Sequence, residues 1–339
     1  MDETLNTPVL LIFFNRPQVL KKVFDRIREV RPTELYLFQD GPRKGNSIDI
    51  LNIQECRKIV NEINWNCNVH RRFEENNHGA DEAGYIADTW AFETAHECII
   101  LEDDVLPSKS FFYFCQEMLA KYRNEDRVMM ISGFNPTEIY SSCDNDYFFT
   151  AATLTWGWAT WKRVAEQWNS KYEFLSNPEE KKKIEIFVKE KGLPKNSVHI
   201  FENHRNSGII HWETIVSANQ YLHNGLSLIP KKNMISNIGV TSGATHYTND
   251  LNLIPKGYRK IFTMQQFDIE IKNLKCPRNI KEDPVFIKKV YRILGWGHPW
   301  VKVYRFIEGS IYQIVAGNIG FVVKDFKSKA YNVLHRDNT

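Results

Sequence analysis

The run Cys98-Ile99-Ile100-Leu101-Glu102-Asp103-Asp104 carries the strongest structural signal in the chain: a short apolar stretch enters and three acids leave. Apolar stretches of this length read as buried strands. In open α/β sheets, ligands bind outside the carboxyl ends of the strands, where these acids fall. Three adjacent carboxylates repel one another and are tolerated only when solvated or neutralised by a cation. Two readings follow: a solvated acidic turn, or a site for a divalent metal and, through it, a diphosphate.

Outward from this run the first half of the chain alternates strand and helix. Residues 9–14 (VLLIFF) form a fully apolar strand, and 18–30 carry apolar residues at a helical period just after Pro17. Residues 34–39 form a second strand, 49–63 a helix, 68–73 a strand and 81–94 a helix. After the strand 98–101 come a helix over 111–122 and a strand over 128–132. This rhythm predicts a mostly parallel, Rossmann-like sheet with helices on both faces. No GxGxxG follows the first strand and no GxxxxGK[ST] occurs, so a dinucleotide fold and a P-loop are unsupported. The second half is less regular. Helices are expected over 177–191 and 214–223, a strand over 226–229, and a long functional loop over 233–246. The organisation read from these patterns is one domain over 1–250, whose halves at 1–132 and 133–250 the family resemblance given below assigns to a nucleotide sugar and an acceptor. A linker over 251–282 and a helical, basic, aromatic extension over 283–339 follow.

Composition narrows the class. The 339 residues are 42% hydrophobic and 25% charged, ordinary for a globular protein large enough for a substantial core. A net charge of +3 does not argue for nucleic acid. Its distribution is uneven: residues 283–339 hold nine Lys/Arg against four Asp/Glu, a net of +5, leaving −2 elsewhere. A weakly acidic body with a basic, aromatic tail suits an anionic surface, here the inner face of a membrane. Within the tail, 286–293 and 300–307 mix basic and large apolar residues as interfacial helices do; ordinary helices packed on the catalytic domain are the plain alternative. The six cysteines form no CxxC pair, so zinc and redox motifs are unsupported and a reducing, cytoplasmic compartment is implied. The run 9–14 is too short for a signal peptide, and 311–323 is too polar for a span.

Several further residues suit ligand chemistry. Asn15 and Arg16 close the first strand beside a helix start, where an Arg meets a phosphate or ribose. Asp40 closes the second strand and suits a base N–H or a ribose hydroxyl, or is a turn Asp before Gly41. His78 follows the third strand and suits a base contact, although Asp81 and Glu82 oppose an anion at that helix start. Residues 154–161 place Trp156, Trp158 and Trp161 around Gly157, either a platform for a sugar face or a core strand. Trp212 and Glu213 precede a helix; Glu213 is a candidate general base, or an N-terminal Glu that favours the helix dipole. His246 is a candidate additional metal ligand.

In order along the chain, PVLLIFFNRP (8–17), LYLFQDG (35–41), IILEDDVLPSKSFFYFCQEMLAKY (99–122), VMMISGFNP (128–136), TWGWATWKRVAEQW (155–168), HWE (211–213) and LIPKKNMISNIGVTSGATH (228–246) resemble the nucleotide-sugar glycosyltransferases of GT-A fold. The chain looks most like bacterial surface-polysaccharide transferases, of capsule or lipopolysaccharide, distantly related to the animal N-acetylglucosaminyltransferase I. The resemblance implies that the acidic triplet stands for the usual DxD motif. It assigns a metal, Mn²⁺ or Mg²⁺, to Asp104, and sugar, ribose or metal-water contacts to Glu102 and Asp103. It assigns nucleotide contacts to Arg16 and Asp40, a UDP donor, and the role of base to Glu213. Two departures stand out. The family pattern has Trp-Asp where this chain has Trp212-Glu213, and the segment 79–84 (GADEAG) is unusually acidic for the vicinity of a diphosphate.

The activity implied is a metal-dependent, inverting transfer of a sugar from a nucleotide donor to a hydroxyl of a glycan or lipid-linked glycan. Two rivals remain open. A sugar nucleotidyltransferase also uses carboxylates and a metal, but normally shows a Gly-rich basic loop after its first strand, where this chain has Asn15-Arg16-Pro17. A non-catalytic carbohydrate-binding or scaffold protein needs neither metal nor base. The sugar, acceptor, linkage and oligomeric state are not written in the sequence.

Overall fold

The computed structural model describes residues 4–240, 250–320 and 322–323. The first half builds β1 (Val9–Phe13), α1 (Pro17–Val30), β2 (Glu34–Gln39), α2 (Ser47–Val60), β3 (Asn68–Phe73), α3 (Ala80–Thr94) and β4 (Glu97–Glu102). A short β5 (Val105–Pro107), α4 (Lys109–Lys121) and β6 (Val128–Ser132) follow. The second half contributes β7 (Tyr147–Thr150), β8 (Trp158–Trp161), α5 (Lys162–Ala165), α6 (Pro178–Glu190), α7 (Ser197–Ser207), α8 (Trp212–Leu222), β9 (Leu226–Pro230) and β10 (Ile235–Asn237). It continues with α9 (Lys256–Thr263), α10 (Pro284–Leu294) and α11 (Pro299–Val315).

Local chemistry explains the boundaries. Pro17 sits in the first turn of α1, where its missing N–H costs nothing. Val19, Leu20, Val23, Phe24, Ile27 and Val30 put one apolar stripe of α1 into the core. Asn46 caps α2 by accepting from the backbone N–H groups of Ile48 and Asp49.

Eight strands form one sheet in the order β3-β2-β1-β4-β8-β6-β9-β7. The β3-β2-β1-β4 half is parallel throughout. β8 then runs antiparallel to both β4 and β6, and β9 pairs parallel with β6 and antiparallel with β7. From β1 the chain winds to β2 and β3 on one side, then returns to place β4 on the other. The gap beyond the carboxyl ends of β1 and β4 is therefore the topological switch point of the sheet. The register pairs Ile12 with Glu102, so the loop 14–16 and the acids 102–104 leave the sheet side by side. The predicted α/β architecture, a mostly parallel central sheet with flanking helices, is present.

Segments assigned to loop or linker carry more order than their polarity announces. Within 233–246, β10 pairs antiparallel with β5, a ribbon directly after the acids. Between 264 and 283 the chain is stitched to the body. Phe267 N donates to Asn233 O (2.8 Å), Ser110 N to Asp268 (2.8 Å) and Lys275 N to Asp146 (2.7 Å). α10 buries Phe286, Ile287, Val290 and Tyr291, with Phe286 edge-on to Phe148 and Tyr140. For 286–293 the packed-helix reading holds. Among the described residues no helix is long and apolar enough to cross a membrane.

Candidate active site

Two loops meet at the switch point. Arg16, held where α1 begins, donates its Nη2 to Asp103 and to Asp104 Oδ2 (3.0 Å). The backbone N–H of Phe14 also points at Asp103 (3.4 Å). Asp103 is buried, and burial pushes its carboxyl up to about 6 against the pull of Arg16. Burial and the charges of Asp104, Glu213 and Asp103 hold Glu102 well above the usual carboxylate range. For Arg16, burial alone would lower the pKa, but the two facing carboxylates outweigh it and the guanidinium stays charged. The Arg16 cation thus faces the three acids 102–104, a cluster short of positive charge.

Asp104 faces the β5–β10 ribbon. Its carbonyl accepts from Ile238 N (2.8 Å), and a Cβ on Gly239 would lie 2.1 Å from Asp104 Oδ2. Gly239 therefore keeps open the space beside this carboxylate. No three His, Cys, Asp or Glu side chains cluster as a metal site among the described residues, and His246 lies outside them. The partly exposed Asp104 carboxylate, paired with Arg16 through Oδ2, offers one protein ligand to a hard cation of the Mg²⁺ or Mn²⁺ kind, which binds through one or two carboxylates and takes its other ligands from phosphates and water. Gly239→Ala is expected to fold normally and to weaken metal-dependent nucleotide binding by about tenfold or more, since misplacing a supporting group at a metal site costs that much. Calorimetry with nucleoside diphosphates and Mn²⁺ checks it.

The neighbouring strand ends are built as supports. Asp40 spends its four acceptor positions on protein donors: Gly41 N (2.9 Å), His78 N (2.9 Å), Gly79 N (3.1 Å) and Asn77 Nδ2 (2.7 Å). Instead of reaching for a base, Asp40 clasps the loops after β2 and β3. Gly41 lets them touch, because a Cβ there would stand 2.5 Å from the Asn76 backbone. Asn15 donates to the buried Asp49 (2.7 Å), which Arg43 grips with Nε and Nη2 at 2.7 Å each. Sequence reasoning misses this Arg43–Asp49 pair, because its two members belong to the loop before α2 and to the first turn of α2. The His78 ring lies between Glu74 (3.5 Å) and Glu82 (3.8 Å).

The aromatic candidates separate. Trp158 is buried in β8 and stacks on Trp212, 6.0 Å away at 14°. Trp212 in turn presses on α3 where Gly84 leaves no side chain. Both rings are core, which corrects their assignment as a sugar platform. Gly157 adopts a positive φ of 62° and abuts Ile235, so it serves the turn into β8 and not a ligand. Of these candidates only Trp156, half-buried against Phe134 and Phe262, faces a cavity. Trp158→Ala is therefore expected to destabilise the fold by about 3–5 kcal/mol, whereas Trp156→Ala leaves most of the stability intact. Chemical denaturation of both variants checks the contrast.

That cavity encloses about 220 Å³ and is walled by Thr155, Trp156, Glu213, Tyr258, Ile261 and Trp296. Glu213 is exposed in the first turn of α8 and accepts from Thr155 Oγ1 (3.1 Å). Its charge is among those that raise Glu102. Tyr258 and Trp296 come from the C-terminal elements, whose part in the cavity wall sequence reasoning misses. Its one sequence signal is Trp296 held between Gly295 and Gly297, both at positive φ.

No protein-family model matches the chain, and no curated protein sequence does. Solved structures match weakly. HddC from Yersinia pseudotuberculosis shares 10% identity at a TM-score of 0.30, over 47% of this chain and 79% of its own. The 4-diphosphocytidyl-2C-methyl-D-erythritol synthase of Anaerococcus prevotii shares 12% at 0.30, over 51% and 77%. A UDP-glucose pyrophosphorylase complexed with UDP-glucose shares 8% at 0.33, over 68% and 93%. Overlaps this small carry no argument about chemistry.

Proposed function

We propose that the chain is a metal-dependent glycosyltransferase of GT-A type, moving a sugar from a nucleotide donor, by resemblance UDP, to a hydroxyl of a glycan acceptor. The observation that carries the reading is the switch point of the sheet, where Arg16 and the acids 102–104 meet. Glu213, one of the charges that raise Glu102, walls an aromatic cavity. A donor diphosphate fits at Asp104, Arg16 and the space beside Gly239. An acceptor sugar fits against Trp156, Tyr258 and Trp296. A second cavity of about 240 Å³ adjoins across Trp296, room for a further sugar unit.

In this reading Arg16 orients the diphosphate, Asp103 fixes Arg16, and Asp104 is the carboxylate that would hold a cation. A divalent cation bound at Asp104 would neutralise the departing nucleoside diphosphate. Glu213 takes the proton of the acceptor hydroxyl as its oxygen bonds to the anomeric carbon. The bond from that carbon to the diphosphate breaks, and a single displacement inverts the centre. Thr155 holds Glu213 in position through its hydroxyl.

Product analysis tests the proposal against its nearest rival. Incubation with nucleotide sugars and Mn²⁺ is expected to release nucleoside diphosphate. Release of pyrophosphate from nucleoside triphosphate and sugar phosphate would instead make the chain a nucleotidyltransferase.

A further inference from the structure

α11 carries an apolar ridge on the side turned away from the body. Trp300, Val303, Tyr304, Ile307, Ile311 and Ile314 recur at helical spacing, and all are exposed. The ridge is closed at its far end by Val315, 81% exposed, and opened by Trp300 at 83%. No charged residue interrupts it. The opposite face of the helix is tied down. Arg305 donates to Ile293 O (2.7 Å) and lies over the Tyr258 ring, Arg259 lies over the Tyr312 ring, and Gln313 is buried. The ridge is therefore held outward by a fixed helix. Single exposed apolar residues need no explanation, but a contiguous stripe of seven marks an interaction surface.

We propose that this ridge lies on an anionic membrane surface, with the helix in the plane of the interface. Charge selects the occupant. Between 284 and 320 there are five Lys/Arg and one acid, Glu308. Lys288, Lys289 and Arg292 are exposed on α10, and Lys302 is exposed on α11 itself. A net-positive segment bearing an apolar stripe complements anionic headgroups over acyl chains, whereas two copies meeting through this segment would bring like charges together. Trp300 and Tyr304 at one end suit the headgroup level, where one side of a ring is wet. The consequence is spatial: Trp296 and Lys302 flank the start of α11, Trp296 walls the cavity of Glu213, and both wall the cavity adjoining it. Docking brings that rim to the lipid and suits an acceptor anchored in the bilayer. The docking itself is independent of the chemistry assigned to Glu213.

Vesicle flotation of the full chain tests it, with phosphatidylcholine alone and with phosphatidylglycerol mixed in. The chain is expected to float with the mixed vesicles, and less so in high salt. Ile307→Glu combined with Ile311→Glu is expected to cut the bound fraction at least about tenfold without changing the melting temperature. Glu213→Gln is expected to float like the unaltered chain, which separates docking from catalysis. Absence of flotation with mixed vesicles overturns the proposal. So does equal flotation of the double variant, or a concentration-dependent dimer, broken by those substitutions, in place of lipid binding.

Discussion

Asp104→Asn is expected to reduce metal-dependent binding of nucleoside diphosphate by at least about 100-fold, the upper end of what losing even a supporting partner at a metal site costs. The amide keeps the shape of the carboxylate but not its charge, and charge is what a hard cation needs from this side chain. The fold is expected to survive. Arg16 retains Asp103 as its partner, and the carbonyl of Asp104, which accepts from Ile238, is untouched. Calorimetry with and without Mn²⁺, beside a thermal melt, separates the two effects. Undiminished metal-dependent binding with a normal melt would remove Asp104 from the donor site.

The second large effect is at Glu213. Glu213→Gln is expected to lower the turnover rate about 10²–10⁴-fold, the usual contribution of a positioned base, and to leave donor binding unchanged. Gln preserves the acceptor oxygen that meets Thr155 Oγ1. Glu213 is exposed at a helix start, so folding loses only a modest favourable interaction with the helix dipole. Steady-state transfer to a glycan acceptor, with donor affinity measured separately, checks the division. Normal transfer by Glu213→Gln would assign the base elsewhere and remove the argument for inversion.

How far the sequence reaches is visible in these two residues and their neighbours. β4 is readable because Cys98–Leu101 is buried on both faces and writes itself as an uninterrupted apolar run. The same holds for β1, and these two runs by themselves set Arg16 and the acids at strand ends. Strand order is not readable. β8 enters between β4 and β6, and no local pattern announces which edges a strand joins. The tryptophans are ambiguous for a related reason. Trp156 and Trp158 lie two apart with Gly157 between them, yet one faces the cleft and the other stacks on Trp212 in the core. Only the stacking of Trp158 on Trp212, which is itself seated on α3 at Gly84, decides between them. Asp40 shows the limit for polar residues. An acid after a strand can serve a ligand or a loop, and the choice here follows from four donors gathered from residues 41 and 77–79. The stretch 264–283 resembles a linker in sequence because its partners, Ser110, Asn233 and Asp146, are remote along the chain.

The measurement that bears most directly on the proposed donor site is calorimetric titration of the full chain with a panel of nucleoside diphosphates and nucleotide sugars, in the presence and absence of Mn²⁺. The expected result is binding of one nucleotide class that depends on the metal and disappears in Asp104→Asn. A folded protein that binds none of them under either condition would contradict the glycosyltransferase reading, and would favour a carbohydrate-binding or scaffold role.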